Sequence, residues 1–88
     1  MAAGAPLLDV REQNEWDEMR IPGAVLIPLG QLPGRVGEVP GGSPLLVHCR
    51  SGARSARAVE WLRANGHSQA VNVAGGILRW TAEGRPTV

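Results

Sequence analysis

The stretch Leu45-Leu46-Val47-His48-Cys49-Arg50-Ser51-Gly52-Ala53-Arg54-Ser55 places the only cysteine of this 88-residue chain between an apolar segment and a helix-forming one. Residues 45–48 predict a buried strand, and residues from about 53 to 65 predict a helix with one buried face. A cysteine at such a junction faces free backbone N–H groups and the positive end of a helix dipole, which favour thiolate over thiol. The stretch therefore predicts an α/β unit that presents a nucleophilic thiol.

The loop after the cysteine has the composition of an anion-binding cup. Backbone amides of residues 50–55 can curl around the Cys49 sulfur if the loop is cup-shaped, and Gly52 permits the positive φ that such a cup usually requires. We expect every residue of this loop to contribute to substrate binding, that is Arg50, Ser51, Gly52, Ala53, Arg54 and Ser55.

The side chains of this loop also have structural interpretations. Arg50 and Arg54 are planar cations suited to oxyanions, but Arg50 can be a solvated surface residue and Arg54 can form a salt bridge at the start of the helix. Ser51 or Ser55 can cap that helix instead of binding substrate. A lone cysteine such as Cys49 can be a small buried hydrophobic residue, yet a structural cysteine gains nothing from a nearby glycine and two arginines.

Three further polar residues lie at the ends of predicted strands. His48 directly precedes Cys49, and because neighbouring side chains on a strand point to opposite faces, we interpret it as a packed or edge residue and not as a general base. Asp9 and Arg11 follow the first predicted strand. Asp9 can cap the next helix, and Arg11 can pair with Glu15, but Arg11 is also our candidate for a substrate contact.

Short apolar segments alternate with helical patterns along the chain. Strands are predicted at 7–10, 24–27, 45–48 and 71–73, and helices at 11–19, 29–39 (short or irregular), 53–65 and 77–83. This alternation predicts a parallel sheet covered on both faces, with ligands beyond the carboxyl ends of its strands. Cys49, the Asp9–Arg11 segment and the Gly75-Gly76 turn should therefore converge at one edge of the sheet.

Composition narrows the class of protein. A chain of 88 residues is one domain, expected to span 1–88, and its net charge of +1 gives no support to nucleic-acid binding. One cysteine and two histidines show no metal-ligand spacing, so we expect no metal site. The chain shows no signal-peptide pattern and no apolar stretch long enough to span a membrane. A lone thiol fits a reducing compartment, and we expect a cytoplasmic protein.

Several ordered motifs resemble the rhodanese family of single-domain sulfurtransferases. They are Leu7-Leu8-Asp9-Val10-Arg11-Glu12, Glu15-Trp16, Ile21-Pro22-Gly23-Ala24, Ile27-Pro28-Leu29, Val47 through Ser55, and Val73-Ala74-Gly75-Gly76-Ile77 with Trp80. The resemblance implies a rhodanese-like α/β fold whose central parallel sheet of four to five strands is flanked by helices on both faces. Family members usually begin with a further strand and helix, so the resemblance implies that the amino-terminal edge element is missing or shortened here.

The same resemblance implies a function for the cysteine loop. Cys49 would take a sulfane sulfur from thiosulfate or a persulfide donor, become a persulfide, and pass the sulfur to cyanide or a thiol. The amides of residues 50–55 would cradle that sulfur, and Arg50 and Arg54 would attract the anionic donor. No cofactor is implied, a sulfur-carrier protein is a further candidate partner, and we expect a monomer.

Two alternative functions remain open at this level. A non-catalytic rhodanese-like module would bind a protein partner, although such modules typically lack the loop cysteine. A cysteine phosphatase or arsenate reductase would need Cys-x5-Arg, whereas this chain has Cys49-x4-Arg54. The shorter loop suits a single sulfur better than a tetrahedral oxyanion.

Overall fold

A four-stranded parallel sheet forms the centre of the molecule, as seen in a computed structural model that describes residues 5–88. Its strands are β1 (Leu7–Asp9), β2 (Val25–Leu26), β3 (Leu45–His48) and β4 (Ala70–Asn72). They lie in the order β2-β1-β3-β4, and each neighbouring pair is parallel. The predicted parallel sheet is therefore confirmed with four strands in this part of the chain. The predicted shortening concerns residues before Leu7, of which 1–4 lie outside the described residues.

The helices follow the strands as predicted, with one difference in type. They are α1 (Gln13–Glu18), α2 (Ala53–Ala64) and α3 (Gly76–Ala82). The predicted irregular helix at 29–39 consists of two 3₁₀ segments, Leu29–Gln31 and Pro33–Glu38, and the second is kinked at Arg35, whose φ is −127°. Proline and glycine in this stretch disfavour a continuous α-helix, which explains the shorter segments. No helix within residues 5–88 is long and apolar enough to cross a membrane.

Apolar side chains cover the sheet on both faces, because successive strand residues alternate in direction. One core contains Leu8, Leu45 and Val47 and packs against Ala58 and Leu62 of α2. The other core contains Leu7, Ile21 and Ile77, with Leu46 and Trp80 packed beside it. The predicted covering of both sheet faces is confirmed, and the cysteine falls in the core that faces α2.

The start of α3 lies directly against the cysteine loop. The backbone N–H of Ile77 donates to the carbonyl of Cys49 at 2.9 Å, and that of Leu78 donates to the carbonyl of Arg50 at 3.1 Å. Gly76, with a φ of +55°, passes so close to both carbonyls that a Cβ atom there would lie 2.6 Å from the Arg50 oxygen. Glycine permits this approach because it has no Cβ. The predicted convergence of the cysteine and the Gly75-Gly76 turn is therefore confirmed.

Candidate active site

The sulfur of Cys49 lies between β3 and α2 and accepts hydrogen bonds from the loop that follows it. The backbone N–H of Gly52 donates to Sγ at 3.1 Å, and the Ser55 hydroxyl lies 3.4 Å from Sγ. Gly52 has a φ of +113° and is the N-cap of α2, so the predicted left-handed glycine is observed. Cys49 is only 1% exposed. Both the loss of hydration and these hydrogen bonds therefore act on the ionisation of the thiol.

The loop holds the pKa of the Cys49 thiol below its ordinary value. Burial opposes this by raising the pKa, since the charged form loses hydration. The Ser55 hydroxyl and the backbone amides of Ser55, Gly52 and Ser51 outweigh burial and lower the pKa. Part of the predicted amide cradle thus acts on the thiolate. Contributions from the amides of Arg50, Ala53 and Arg54 stay predictions.

Ser55 is fully buried and faces the interior of the site. Its hydroxyl lies 2.6 Å from Oδ1 of Asn72, 3.2 Å from the Gly52 carbonyl oxygen and 3.4 Å from the sulfur. The alternative that a serine caps α2 is wrong, because the N-cap is Gly52 and no side chain caps this end of the helix.

The two arginines of the loop differ in their partners. Arg54 donates to both carboxylate oxygens of Glu15 on α1, at 2.6 and 2.9 Å. This hydrogen bonding lowers the pKa of Glu15 to about 2, against the effect of partial burial. Arg50 is exposed and makes no side-chain hydrogen bond or ion pair with residues 5–88. The salt-bridge interpretation of Arg54 is therefore the one observed, and Arg50 is the arginine left for an anion.

Arg11 is a structural residue, and its predicted role as a substrate contact is not supported. It is 3% exposed, and its guanidinium donates to both oxygens of Asp9 at 2.8–3.0 Å. A further 2.7 Å bond to the carbonyl of Met19 leaves the group little freedom. The expected pairing with the Glu15 carboxylate is wrong as well, since Arg11 reaches only the main-chain oxygen of that residue, at 3.5 Å. A bidentate bond to Asp9 is preferred because it neutralises a buried carboxylate.

Asp9 does not cap α1, because its carboxylate is already occupied by Arg11. The helix begins with a capping box in which Glu12 and Glu15 exchange side-chain and backbone hydrogen bonds. Glu15 thus serves the start of α1 and the ion pair with Arg54 at once. This double use fixes α1 against the cysteine loop.

His48 is fully buried on the sheet face opposite the sulfur, as predicted from strand alternation. Its Nδ1 lies 3.3 Å from the carbonyl oxygen of Cys49, and its Nε2 lies 3.6 Å from Asp9 without a hydrogen-bond partner in residues 5–88. Burial lowers the pKa of the imidazole, although the Asp9 charge partly offsets this. A neutral ring held against backbone is a packed residue and not a base for the thiol.

Two residues of the site were not identified from the sequence. Asn72 ends β4 and contacts Ser55 and the Gly52 carbonyl, and Glu15 holds Arg54. A signal existed for Asn72, because it is a polar residue at the carboxyl end of a strand, where ligands and site residues gather. Glu15 carried no such signal, since its partner lies 39 positions away along the chain.

The loop around Cys49 can favour ionisation of the thiol, and its neutral dipoles can stabilise the charge of an anionic sulfur. The donors are backbone N–H groups that are fixed by the turn into α2 and need no rearrangement to meet a negative charge. Within residues 5–88 no cluster of three or more His, Cys, Asp or Glu side chains could hold a metal ion.

Comparison with known proteins finds relatives of this chain both in sequence and in structure. A protein of Allochromatium vinosum named sulfurtransferase is 37% identical over 82 residues, which are 93% of this chain and 77% of that protein. The putative sulfur carrier protein YrkF of Bacillus subtilis is 36% identical over 77 residues, covering 88% of this chain but only 42% of that protein. The crystal structure of a rhodanese-related protein from Thermoplasma volcanium gives a TM-score of 0.88 at 37% identity, covering 96% of this chain and 83% of that one.

The family assignment agrees with the motifs, the sheet and the loop. The strand order, the helices on both faces and the left-handed glycine after the cysteine occur together in the observed structure. Residues 1–83 match the Rhodanese-like domain, and the chain therefore belongs to the rhodanese-like family.

Proposed function

We propose that this protein is a sulfurtransferase that carries a sulfane sulfur as a persulfide on Cys49. The observation that carries the proposal is the Gly52 N–H bond to the sulfur at 3.1 Å, made at the N-terminus of α2. Backbone amides and a hydroxyl that together lower the pKa of this thiol against the effect of burial favour its anionic form. The relatives named as a sulfurtransferase and a putative sulfur carrier support the same assignment.

The first half of the reaction loads the cysteine. The Cys49 thiolate attacks the outer sulfur of thiosulfate, a new S–S bond forms, and the old S–S bond breaks with its electron pair leaving on sulfite. Charge balances, since a thiolate and a dianion become a persulfide anion and sulfite dianion. A protein persulfide can act as donor in the same way, with its thiolate as the leaving group. The amides of Ser51, Gly52 and Ser55 lower the pKa of the Cys49 thiol, and we propose that they also stabilise the charge of the transferred sulfur.

The second half of the reaction returns the cysteine to its starting state. Cyanide or a thiolate attacks the terminal sulfur, and the electron pair of the S–S bond returns to Sγ of Cys49. The products are thiocyanate or a new persulfide, which can belong to a small thiol or to a sulfur-carrier protein. Two half-reactions through one covalent intermediate give ping-pong kinetics. A lone thiol of this kind suits a reducing compartment, and we propose that the protein works as a monomeric single domain in the cytoplasm.

Binding of the donor falls mainly to Arg50 and the loop amides. Arg50 is exposed and forms no ion pair within residues 5–88, so its charge is available to an approaching dianion. Arg54 is held by Glu15, and its charge is largely neutralised. We therefore propose that Arg54 fixes the loop to α1, whereas Arg50 attracts the donor.

The two alternative functions are less well supported by this geometry. A phosphatase loop needs an arginine free to bind phosphoryl oxygens, and Arg54 is engaged by Glu15 through two hydrogen bonds. A purely structural module would have no use for a thiol whose pKa lies below its ordinary value.

Intact-protein mass spectrometry after incubation with thiosulfate tests the proposal. We expect the full chain to gain the mass of one sulfur atom, and we expect cyanide to remove it with formation of thiocyanate. The single cysteine makes the location of the adduct unambiguous. A Cys49→Ser variant is the matched control and should gain nothing.

Other outcomes of this experiment contradict the proposal. A folded wild-type protein that gains no sulfur from thiosulfate or from a persulfide donor is not a sulfurtransferase of this kind. An adduct that persists in Cys49→Ser would place the chemistry elsewhere. Hydrolysis of an aryl phosphate that is lost in Cys49→Ser would favour the phosphatase alternative.

A further inference from the structure

The hydroxyl of Ser55 has one hydrogen and three acceptors within reach. Oδ1 of Asn72 lies at 2.6 Å, the carbonyl of Gly52 at 3.2 Å and the sulfur of Cys49 at 3.4 Å. A hydroxyl can donate to one of these at a time. The shortest contact is to the amide oxygen, and it therefore takes the hydrogen while the sulfur is uncharged.

The orientation of the Asn72 amide is fixed by a second contact. Its Nδ2 donates to the carbonyl oxygen of Gly52 at 3.3 Å, which directs Oδ1 toward Ser55. The flipped amide would set its oxygen against that carbonyl, two acceptors facing each other. Asn72 thus connects the end of β4 to the two residues that contact the cysteine sulfur.

We propose that Asn72 is a positioning residue that competes with the Cys49 sulfur for the hydroxyl hydrogen of Ser55. While Cys49 is a thiol, its S–H donates to Oγ of Ser55, and the Ser55 hydroxyl donates to Oδ1 of Asn72. When the thiol loses its proton to solvent, the Ser55 hydroxyl rotates to donate to the thiolate and keeps its own hydrogen. Asn72 Oδ1 then loses its donor inside a partly buried site.

This competition lowers the fraction of Cys49 that is thiolate but does not reduce it to zero. The amides of Ser51 and Gly52 favour the anion in both states, whereas the Ser55 hydroxyl does so only after leaving Asn72. In sulfur transfer the Ser55 hydroxyl would turn to the sulfur whenever Cys49 carries a negative charge, and this part of the inference rests on the proposed function. The titration of the thiol needs no sulfur donor, so it tests the inference independently of that function.

The thiolate can be followed by its ultraviolet absorbance as a function of pH in the full chain. One cysteine and no tyrosine make the signal specific. We expect Asn72→Ala to raise the thiolate fraction about fivefold at a fixed pH below the midpoint, the equivalent of one hydrogen bond gained by the sulfur. In a Ser55→Ala background the same substitution should change that fraction less than about twofold, because no hydroxyl remains to be released.

A second variant separates competition from support of the loop. Asn72→Asp keeps an acceptor for Ser55 but loses the donor to the Gly52 carbonyl. It should lower the thiolate fraction, and the decrease should be smaller when Ser55 is alanine. The inference is overturned if Asn72→Ala lowers the fraction, or raises it equally with and without Ser55. A rise in Asn72→Asp, or a fall equally large with and without Ser55, would also overturn it, and this comparison serves if the alanine variant does not fold. Failure of the persulfide assay with these titrations as expected would count against the proposed function alone.

Discussion

Replacing Gly76 with alanine tests whether the start of α3 supports the cysteine loop through close backbone contact. Gly76 has a φ of +55° and is buried beneath the carbonyls of Cys49 and Arg50. An added Cβ would lie 2.6 Å from the Arg50 oxygen, a distance that real Cβ contacts essentially never show. The backbone of α3 or of the loop must therefore move.

The expected loss of stability has three parts. An alanine at positive φ costs about 1–2 kcal/mol, and overpacking against fixed backbone costs about 1–3 kcal/mol. Displacement of α3 also weakens the bonds from Ile77 to Cys49 and from Leu78 to Arg50, at about 1 kcal/mol for each bond lost. These parts sum to an expected loss of about 2–7 kcal/mol, against a total of roughly 4–13 kcal/mol for a domain of this size.

Urea unfolding followed by tryptophan fluorescence measures this loss, with Trp80 of α3 among the probes. Gly84→Ala is the matched control, because Gly84 also has a positive φ, +74°, but no atom lies within 4 Å of its added Cβ. The control should lose only about 1–2 kcal/mol. Equal losses in the two variants would refute the reasoning, since the clash would then contribute nothing. A Gly76→Ala chain that does not fold, beside a folded control, would agree with it.

Three other perturbations follow from the charges around the site. Glu15→Gln should cost about 1–2 kcal/mol of stability by releasing Arg54, whose pair is only partly buried, and an unchanged urea midpoint would contradict this. Arg50→Gln should raise KM for thiosulfate about fivefold, whereas Arg57→Gln, at another exposed arginine, should leave KM unchanged. Equal effects of the two substitutions on KM would show that Arg50 has no special part in donor binding. Burial lowers the pKa of His48, so the unfolded chain takes up this proton at a higher pH than the folded chain does. As pH falls below about 6.5, folding stability should therefore fall by up to about 1.4 kcal/mol per pH unit. The pKa of Glu15, lowered to about 2, adds its own loss only below about 4.5, so between these pH values a His48→Gln variant should show a smaller slope; an unchanged slope would contradict the assignment.

The fold could be predicted from the sequence because its signals are local. The run Leu45–His48, the left-handed Gly52 and the alternation of strands with helices each specify a conformation within a few residues. Opposite directions of His48 and Cys49 followed from strand geometry alone. The segment at 29–39 was less well determined, because apolar periodicity indicates which side is buried but not whether the backbone is α or 3₁₀.

The partners of the polar side chains could not be predicted in the same way. Arg54 was expected to face the substrate, and only the packing of α1 on the loop brings Glu15 within 2.6 Å of it. Arg11 was a candidate for substrate binding, and its burial with Asp9 depends on the path of the main chain that brings the carbonyl of Met19 to its guanidinium. Ion pairs of long side chains are selected by tertiary position, and several pairings were compatible with the same sequence.

The pairing of these arginines has a consequence for the charge at the sulfur. Arg11 is paired with Asp9 and Arg54 with Glu15, and the groups that lower the pKa of Cys49 are the Ser55 hydroxyl and the N–H dipoles of Ser51, Gly52 and Ser55. A loop with two free arginines would hold a dianion such as sulfite firmly after the transfer. A loop of dipoles stabilises the single charge of a thiolate or persulfide at short range but binds a departing dianion weakly. For a two-step transfer in which one anion must leave before the next acceptor arrives, neutralising Arg54 favours turnover over affinity.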